Sequence, residues 1–287
     1  MWGVFIFAYQ YSVIGGDRRQ EILLKELREK ASCIRFGVGT QGDKAVSLEL
    51  AVSLAENLLL PIPMCKGNRI NIQQQDIVVT KEDVLKYLKK GQRVFAGCMD
   101  KVWSERAKEK GVACYDYMEE KSIAIYNSIA TAEGTIAEIL LSYPRNLHGI
   151  KVMVLGYGIC AKTLAAKLRG LSAKVCIAAR SEHALMEAYA NGYCKIRLEK
   201  ISEVIGEYPL IINTIPARVV TRKELESVDK EVEIYEIASF PYGVDIDTAN
   251  ELGITVRICP SLPAKYAPIS SAEILKQYIL EKTGGNV

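Results

Sequence analysis

Histidine is almost missing from this 287-residue chain: His148 and His183 are the only two. A metal site built on clustered imidazoles is therefore excluded. The eight cysteines, Cys33, Cys65, Cys98, Cys114, Cys160, Cys176, Cys194 and Cys259, contain no CxxC pair of the kind zinc sites use, so no structural metal is expected. Their wide spacing also argues against a disulfide framework. They read as small buried hydrophobes in a protein of the reducing cytoplasm. No apolar run approaches the roughly 20 residues that cross a bilayer. Residues 4–8 are apolar, but no basic segment precedes them and a glycine turn follows, which fits the lead-in to a strand better than a signal peptide. Neither sign of charge dominates. The 37 basic and 34 acidic residues leave +3 without a basic block, so no nucleic-acid surface is expected. What remains, 49% hydrophobic and 25% charged, is the balance of a globular protein long enough for two cores.

The strongest positive pattern spans residues 151–181. Val152, Met153, Val154 and Leu155 form a short apolar run that leads into Gly156-Tyr157-Gly158-Ile159-Cys160-Ala161, a GxGxxA turn between a buried strand and a helix. Gly156 permits the tight turn, Gly158 lets backbone approach a pyrophosphate, and Ala161 lets the helix pack closely. The N–H groups at the helix start, including those of Ile159 and Cys160, face the phosphates with the positive end of the helix dipole. A second strand, 175–179, ends at Arg180-Ser181, where an NAD site usually places an acid against the ribose 2′-hydroxyl. A cation and a hydroxyl at that point fit a 2′-phosphate, so NADP is expected over NAD. The plainer alternative is a solvated arginine at a helix start.

The rest of the chain alternates strand and helix. Strands are expected at 11–14, 33–38, 58–62, 93–98 and 112–117, with helices at 18–30, 46–57, 80–91 and 101–110 and a polar stretch at 66–76. A helix at 128–142 leads to the second alternation, with further strands at 210–215, 232–238 and 255–259, a helix at 245–252, a proline-rich loop at 260–268 and a final helix at 270–280. The expected fold is α/β: two doubly wound parallel-sheet domains, the second a Rossmann dinucleotide-binding domain, with the C-terminal helix returning to the first. The expected boundaries are 1–126, an interdomain helix and linker at 127–148, 149–268, and 269–287. Substrate is expected in a cleft between the domains, at the carboxyl ends of the strands.

Three further clusters bear on binding. Gly15-Gly16-Asp17-Arg18-Arg19 joins the first strand to its helix, either as a tight turn capped by Asp17 or as a carboxylate contact, with Arg18 preferred as the contact. Asn213-Thr214-Ile215-Pro216 ends a strand where amides and hydroxyls commonly border a nicotinamide, although a simple turn would also use asparagine and proline. Asn127, Ser128, Thr131 and Glu133 open the interdomain helix, where Ser128 reads as an N-cap and Glu133 as a surface acid. Gly134 costs a helix about 1 kcal/mol and points to a close approach by another backbone or a ligand. A two-domain 2-hydroxy-acid dehydrogenase needs a proton-relay histidine late in the chain, and none exists beyond His183. An oxidation driven by aromatisation is easier to reconcile with these residues. No general base is singled out.

The segments VIGGDRRQ (13–20), IAIYNSIATAEGTI (123–136), HGIKVMVLGYG (148–158), AARS (178–181), NTIPA (213–217) and the AS.P.G.D pattern (238–245) together resemble the family of the dipicolinate synthase A subunit of spore-forming bacteria. The resemblance runs nearly the full length, and its most specific part is the stretch from Tyr126 to Ile136. It implies NADP-dependent oxidation of dihydrodipicolinate, a small dicarboxylate, in the mother-cell cytoplasm during sporulation. It also implies a flavoprotein-like second subunit, and a homo-oligomer is expected. On that reading Gly156, Tyr157, Gly158, Ile159, Cys160, Arg180, Ser181, Asn213, Thr214, Ile215, Pro216 and Ala238 hold or border the cofactor. Arg18, Asn127, Ser128, Thr131 and Glu133 lie on the substrate side. The chain departs from the family at the phosphate turn, where GxGRTG has become GYGICA. It departs again at Tyr242, at Ser261, Ala264 and Ala272 in place of glycines, and at Ile269 in place of a lysine. Two alternatives stay open: a diverged, non-catalytic dinucleotide-binding subunit, and a two-domain NAD(P) dehydrogenase for another carboxylate.

Overall fold

The computed structural model describes residues 7–39 and 46–285, so part of the apolar 4–8 stretch lies outside the described residues. The chain divides into two compact units, Met1–Tyr126 with Ala267–Val287, and Asn127–Tyr266. The first unit runs β1 (Tyr9–Ile14), α1 (Arg18–Arg28), β2 (Cys33–Phe36), α2 (Leu48–Ser53), β3 (Ala55–Leu59), a small antiparallel pair β4 (Cys65–Lys66) and β5 (Arg69–Ile70), α3 (Lys81–Tyr87), β6 (Arg93–Ala96), α4 (Lys101–Glu109) and β7 (Ala113–Asp116). Its parallel sheet has the order β2-β1-β3-β6-β7. Runs such as Leu58–Leu60 and Val94–Ala96 are buried throughout because helices cover both faces of a parallel sheet.

The expected helix at 46–57 ends at Ser53. β3 starts at Ala55 because it pairs with β1, Tyr9 against Ala55 and Tyr11 against Asn57, and the Asn57 amide donates to the Gln10 carbonyl. The polar stretch at 66–76 contains part of the β4–β5 pair.

The chain continues with α5 (Lys121–Ser142), β8 (Lys151–Leu155), α6 (Ile159–Gly170), β9 (Lys174–Ala179), α7 (Glu182–Ala190), β10 (Cys194–Arg197), two 3-10 turns, β11 (Leu210–Asn213), α8 (Arg222–Leu225), β12 (Glu233–Glu236), α9 (Ile246–Leu252), β13 (Thr255–Ile258), α10 (Leu262–Tyr266) and α11 (Pro268–Thr283). The second sheet is also parallel, ordered β10-β9-β8-β11-β12-β13, the order of a Rossmann domain. Val152 and Val154 face one core layer with Leu164 and Leu168 of α6. Met153 and Leu155 face the other, with Ile211, Ile234 and Ala249. α11 returns to the first unit, where it packs on α1 and adds Ala272, Leu275 and Ile279 to the core around Tyr11, Leu23 and Phe95.

Several local expectations are corrected here. α5 begins at Lys121, so Ser128 lies inside the helix and is not its N-cap; Ile123 and Ala130 are buried on the same helix. Residues 260–268 include α10. β10 escapes a reading by apolar runs, because Cys-Lys-Ile-Arg on a sheet edge contains none. The cysteines are not uniformly buried: Cys176 and Cys259 are, Cys98 and Cys194 are exposed, and all eight are free thiols.

Candidate functional site at the carboxyl ends of the strands

In the second sheet the strand order reverses between β8 and β11, and a crevice outside the carboxyl ends of the strands is where such folds take ligands. Gly156 leaves β8 with φ +97°, a conformation that side chains resist. A Cβ there would stand 2.5 Å from Thr214 Oγ1 and 3.0 Å from Ile215 Cγ1. Thr214 is itself tied to β8, donating through N and Oγ1 to the Leu155 carbonyl at 3.1 and 2.7 Å. Gly158 caps α6 without any side-chain hydrogen bond, and a Cβ on it would meet only open space. The first N–H groups of α6 thus point out uncapped, as anion binding at a helix start requires.

The side chains around this turn divide the work. Tyr157 turns into the core, edge-on to Tyr193 at 6.2 Å with the Lys162 ammonium over its ring, so it lends backbone only. Ile159 is 41% exposed, and burial pushes the Cys160 thiol up, so neither offers a charged group to a phosphate. Arg180, just beyond β9, is exposed and has no hydrogen-bond or ion-pair partner among the described residues. Ser181 caps α7 by accepting from Ala184 N. Pro216 is exposed beside the half-buried Ile215.

One residue that the sequence pattern does not reveal organises the far wall. Glu236, at the end of β12, is 0% exposed and, among the described residues, bonded to no cation. Its Oε1 accepts from Asn213 Nδ2 (2.8 Å) and Ala238 N (2.9 Å), and its Oε2 from Asn213 Nδ2, Gly243 N and Val244 N at 2.9, 2.9 and 3.0 Å. Burial pushes its carboxyl above the usual range, although the donors from Asn213, Gly243, Ala238 and Val244 pull it back. Asn213 also closes the next turn, accepting from Ile215 N and donating to the Ile215 carbonyl. A Cβ on Gly243 would come within 2.6 Å of that carbonyl. The strand end at 213–215 and the segment 238–244 are thereby one hydrogen-bonded piece. The only signal in the sequence is an acid ending an otherwise buried strand.

On α5, Ser128 is buried and its hydroxyl lies 2.7 Å from that of Thr163 on α6, while Thr131 donates to the Asn127 carbonyl. Glu133 is exposed and pairs with Lys167 of α6 at 2.8 Å. The close approach at Gly134 comes from side chains of α10: a Cβ would stand 2.9 Å from Tyr266 Cδ2 and 3.0 Å from Leu262 Cβ.

In the first unit the strand order reverses between β1 and β3. Asp17 caps α1 in a capping box with Gln20. Arg18 is exposed, whereas Arg19 is buried against Asp17 and the Ile62 carbonyl. At the end of β7, the Asp116 carboxylate accepts from Cys98 N, Met99 N and Met118 N, pinning the turn after β6. Among the described residues no group of three or more His, Cys, Asp or Glu is placed to hold a metal ion, and no helix is long and apolar enough to cross a membrane.

Two parallel sheets in these two strand orders, with a glycine turn at the second reversal, define a two-unit protein with a dinucleotide-binding fold of the dehydrogenase type. Within that class the chain is similar to the dipicolinate synthase A subunit. Residues 10–118 match the family described as the N-terminal domain of the dipicolinate synthase A subunit. The corresponding Bacillus subtilis protein is 29% identical over 273 residues, 92% of each chain. The solved structure of the Bacillus halodurans protein superposes with a TM-score of 0.83 at 27% identity, covering 97% of this chain and 99% of that one. A transhydrogenase from Sinorhizobium meliloti shares the fold, with a TM-score of 0.63 at 15% identity over 95% of this chain and 93% of that one.

Proposed function

We propose that the chain is the dehydrogenase component of a dipicolinate synthase, oxidising dihydrodipicolinate to dipicolinate with NADP. The observation that carries this reading is the uncapped start of α6 beneath Gly156, with the unpartnered Arg180 at the end of β9, in a chain related along its length to the dipicolinate synthase A subunit. Gly156, Gly158 and the N–H groups of Ile159 and Cys160 would hold the pyrophosphate, with Tyr157 as backbone, while Arg180 and Ser181 would take the 2′-phosphate. Asn213, Thr214, Ile215, Pro216 and Ala238 would border the nicotinamide, which when bound supplies the hydride acceptor. The dihydropyridine ring gives up a hydride and a proton, and aromatisation drives the loss. Arg18 and Asn127 would contact substrate, and Ser128, Thr131 and Glu133 would act through the bonds that set α5. The protein would work in the mother-cell cytoplasm with a flavoprotein-like second subunit, as a homo-oligomer of this chain. Purified protein supplied with that partner, NADP and freshly generated dihydrodipicolinate should form NADPH; no NADPH would overturn the reading.

The exposed Ile159 and the neutral Cys160, where the related turn carries arginine and threonine, favour one competing reading, a diverged subunit that keeps the fold without the chemistry. NADP binding without NADPH formation would mark the diverged subunit, and no binding in a calorimetric titration at millimolar cofactor would leave only a scaffold.

A further inference from the structure

Arg19 straddles the point where the first sheet reverses. Its Nε donates to Asp17 Oδ1 at 2.9 Å, and its Nη2 donates both to Asp17 Oδ2 and to the Ile62 carbonyl, each at 2.7 Å. Asp17 follows β1 and Ile62 follows β3, so the guanidinium is bolted to both lips of the reversal. Three of its five N–H groups are used in this way, and only the two on Nη1 remain. Among the described residues Nη1 has no hydrogen-bond partner, although the residue is only 4% exposed. The same edge holds Cys98, whose backbone N–H donates to Asp116 Oδ1 at 3.1 Å. Among the described residues Asp116 makes no ion pair with Arg19; its carboxylate accepts from the backbone N–H groups of Cys98, Met99 and Met118. Arg18, the exposed neighbour, offsets the Asp17 charge and leaves the segment net positive.

A buried arginine with its fork held on one side and one nitrogen left without a partner among the described residues is a preorganised oxyanion anchor, and its location is where a sheet of this order takes its ligand. We infer that Arg19, through Nη1, binds a carboxylate of the substrate, with Arg18 an auxiliary charge. This inference deepens the proposed function and rests on it for the substrate class.

The test is calorimetric titration of the whole chain with dipicolinate, with inorganic phosphate as the competing oxyanion. Arg19→Lys keeps the charge beside Asp17 but removes Nη1. It should weaken dipicolinate binding by about tenfold or more. Unchanged affinity in Arg19→Lys would overturn the inference, and so would phosphate binding as tightly as dipicolinate. If Arg19→Lys does not fold, side-chain NMR of the wild-type protein decides: the Arg19 Nη1 signal should shift on adding dipicolinate, and an unmoved signal counts against it. Dipicolinate binding that depends on Arg19 in a protein that binds no NADP would leave Arg19 assigned and overturn the dehydrogenase reading instead. Failure of the wild type to bind dipicolinate would remove both.

Discussion

Gly156 shows how much one residue carries. Its φ of +97° and the Thr214 hydroxyl 2.5 Å from where a Cβ would be leave no room for alanine. Gly156→Ala should destabilise the second unit by about 1–3 kcal/mol and weaken dinucleotide binding, both readable from denaturant unfolding with and without cofactor. Glu236 makes a prediction in pH. A carboxyl whose folded pKa is raised binds more protons folded than unfolded, so stability falls as pH rises from the ordinary 4.5 through the raised value. Glu236→Gln removes that titration. Urea unfolding across the acid range should therefore show wild type losing stability relative to the variant as pH rises, and parallel curves would contradict the assignment. Gly156 is legible in the sequence because its role is local. Glu236 and the division of labour between Arg18 and Arg19 are not, since each depends on a partner from a distant strand: Asn213 for one and the Ile62 carbonyl for the other.

At the scale of elements, helix α5 illustrates what local rules can and cannot place. Periodicity makes its existence clear, but capping preference starts it at Ser128, although the helix runs on from Lys121 and turns Ser128 inward to Thr163. Gly134 signals a close approach in the sequence, and the neighbour is α10. By propensity Gly134→Ala should gain about 1 kcal/mol. The contacts at 2.9 and 3.0 Å reverse the sign, and a net loss of about 1–2 kcal/mol is expected from chemical denaturation. Helix α4 offers a cleaner case. Asp100 accepts from Trp103 N at 2.8 Å and pairs with Lys81 at 2.9 Å, and the Lys81 hydrogen bond comes first in holding its carboxyl below the ordinary value. Asp100→Ala should cost about 1 kcal/mol through the lost cap. Because this pKa is depressed, the charged form's contribution is complete above the ordinary value of 3.8 and is lost as pH falls below it, so the cost should shrink in acid.

For the whole molecule, the two sheets share a design, parallel strands buried on both faces, and alternating strand and helix signals make that design readable. The strand orders are not readable, because they depend on which strands pair across the chain. α11 belongs to this scale: it places Leu275 and Ile279 in the core of the first unit, worth about 1.5–3 kcal/mol each against a folding margin of roughly 5–15 kcal/mol. A chain ending at Ala267 should lose the cooperative unfolding of the first unit, seen by calorimetry as a missing transition. The central claim is that the second unit takes a phosphorylated dinucleotide through Gly156, the start of α6 and Arg180. The most direct test is titration of wild-type and Arg180→Glu protein with NADP and NAD. Wild type should favour NADP by about tenfold or more, and Arg180→Glu should lose that preference; equal affinity for both cofactors, unchanged by the substitution, would contradict the account.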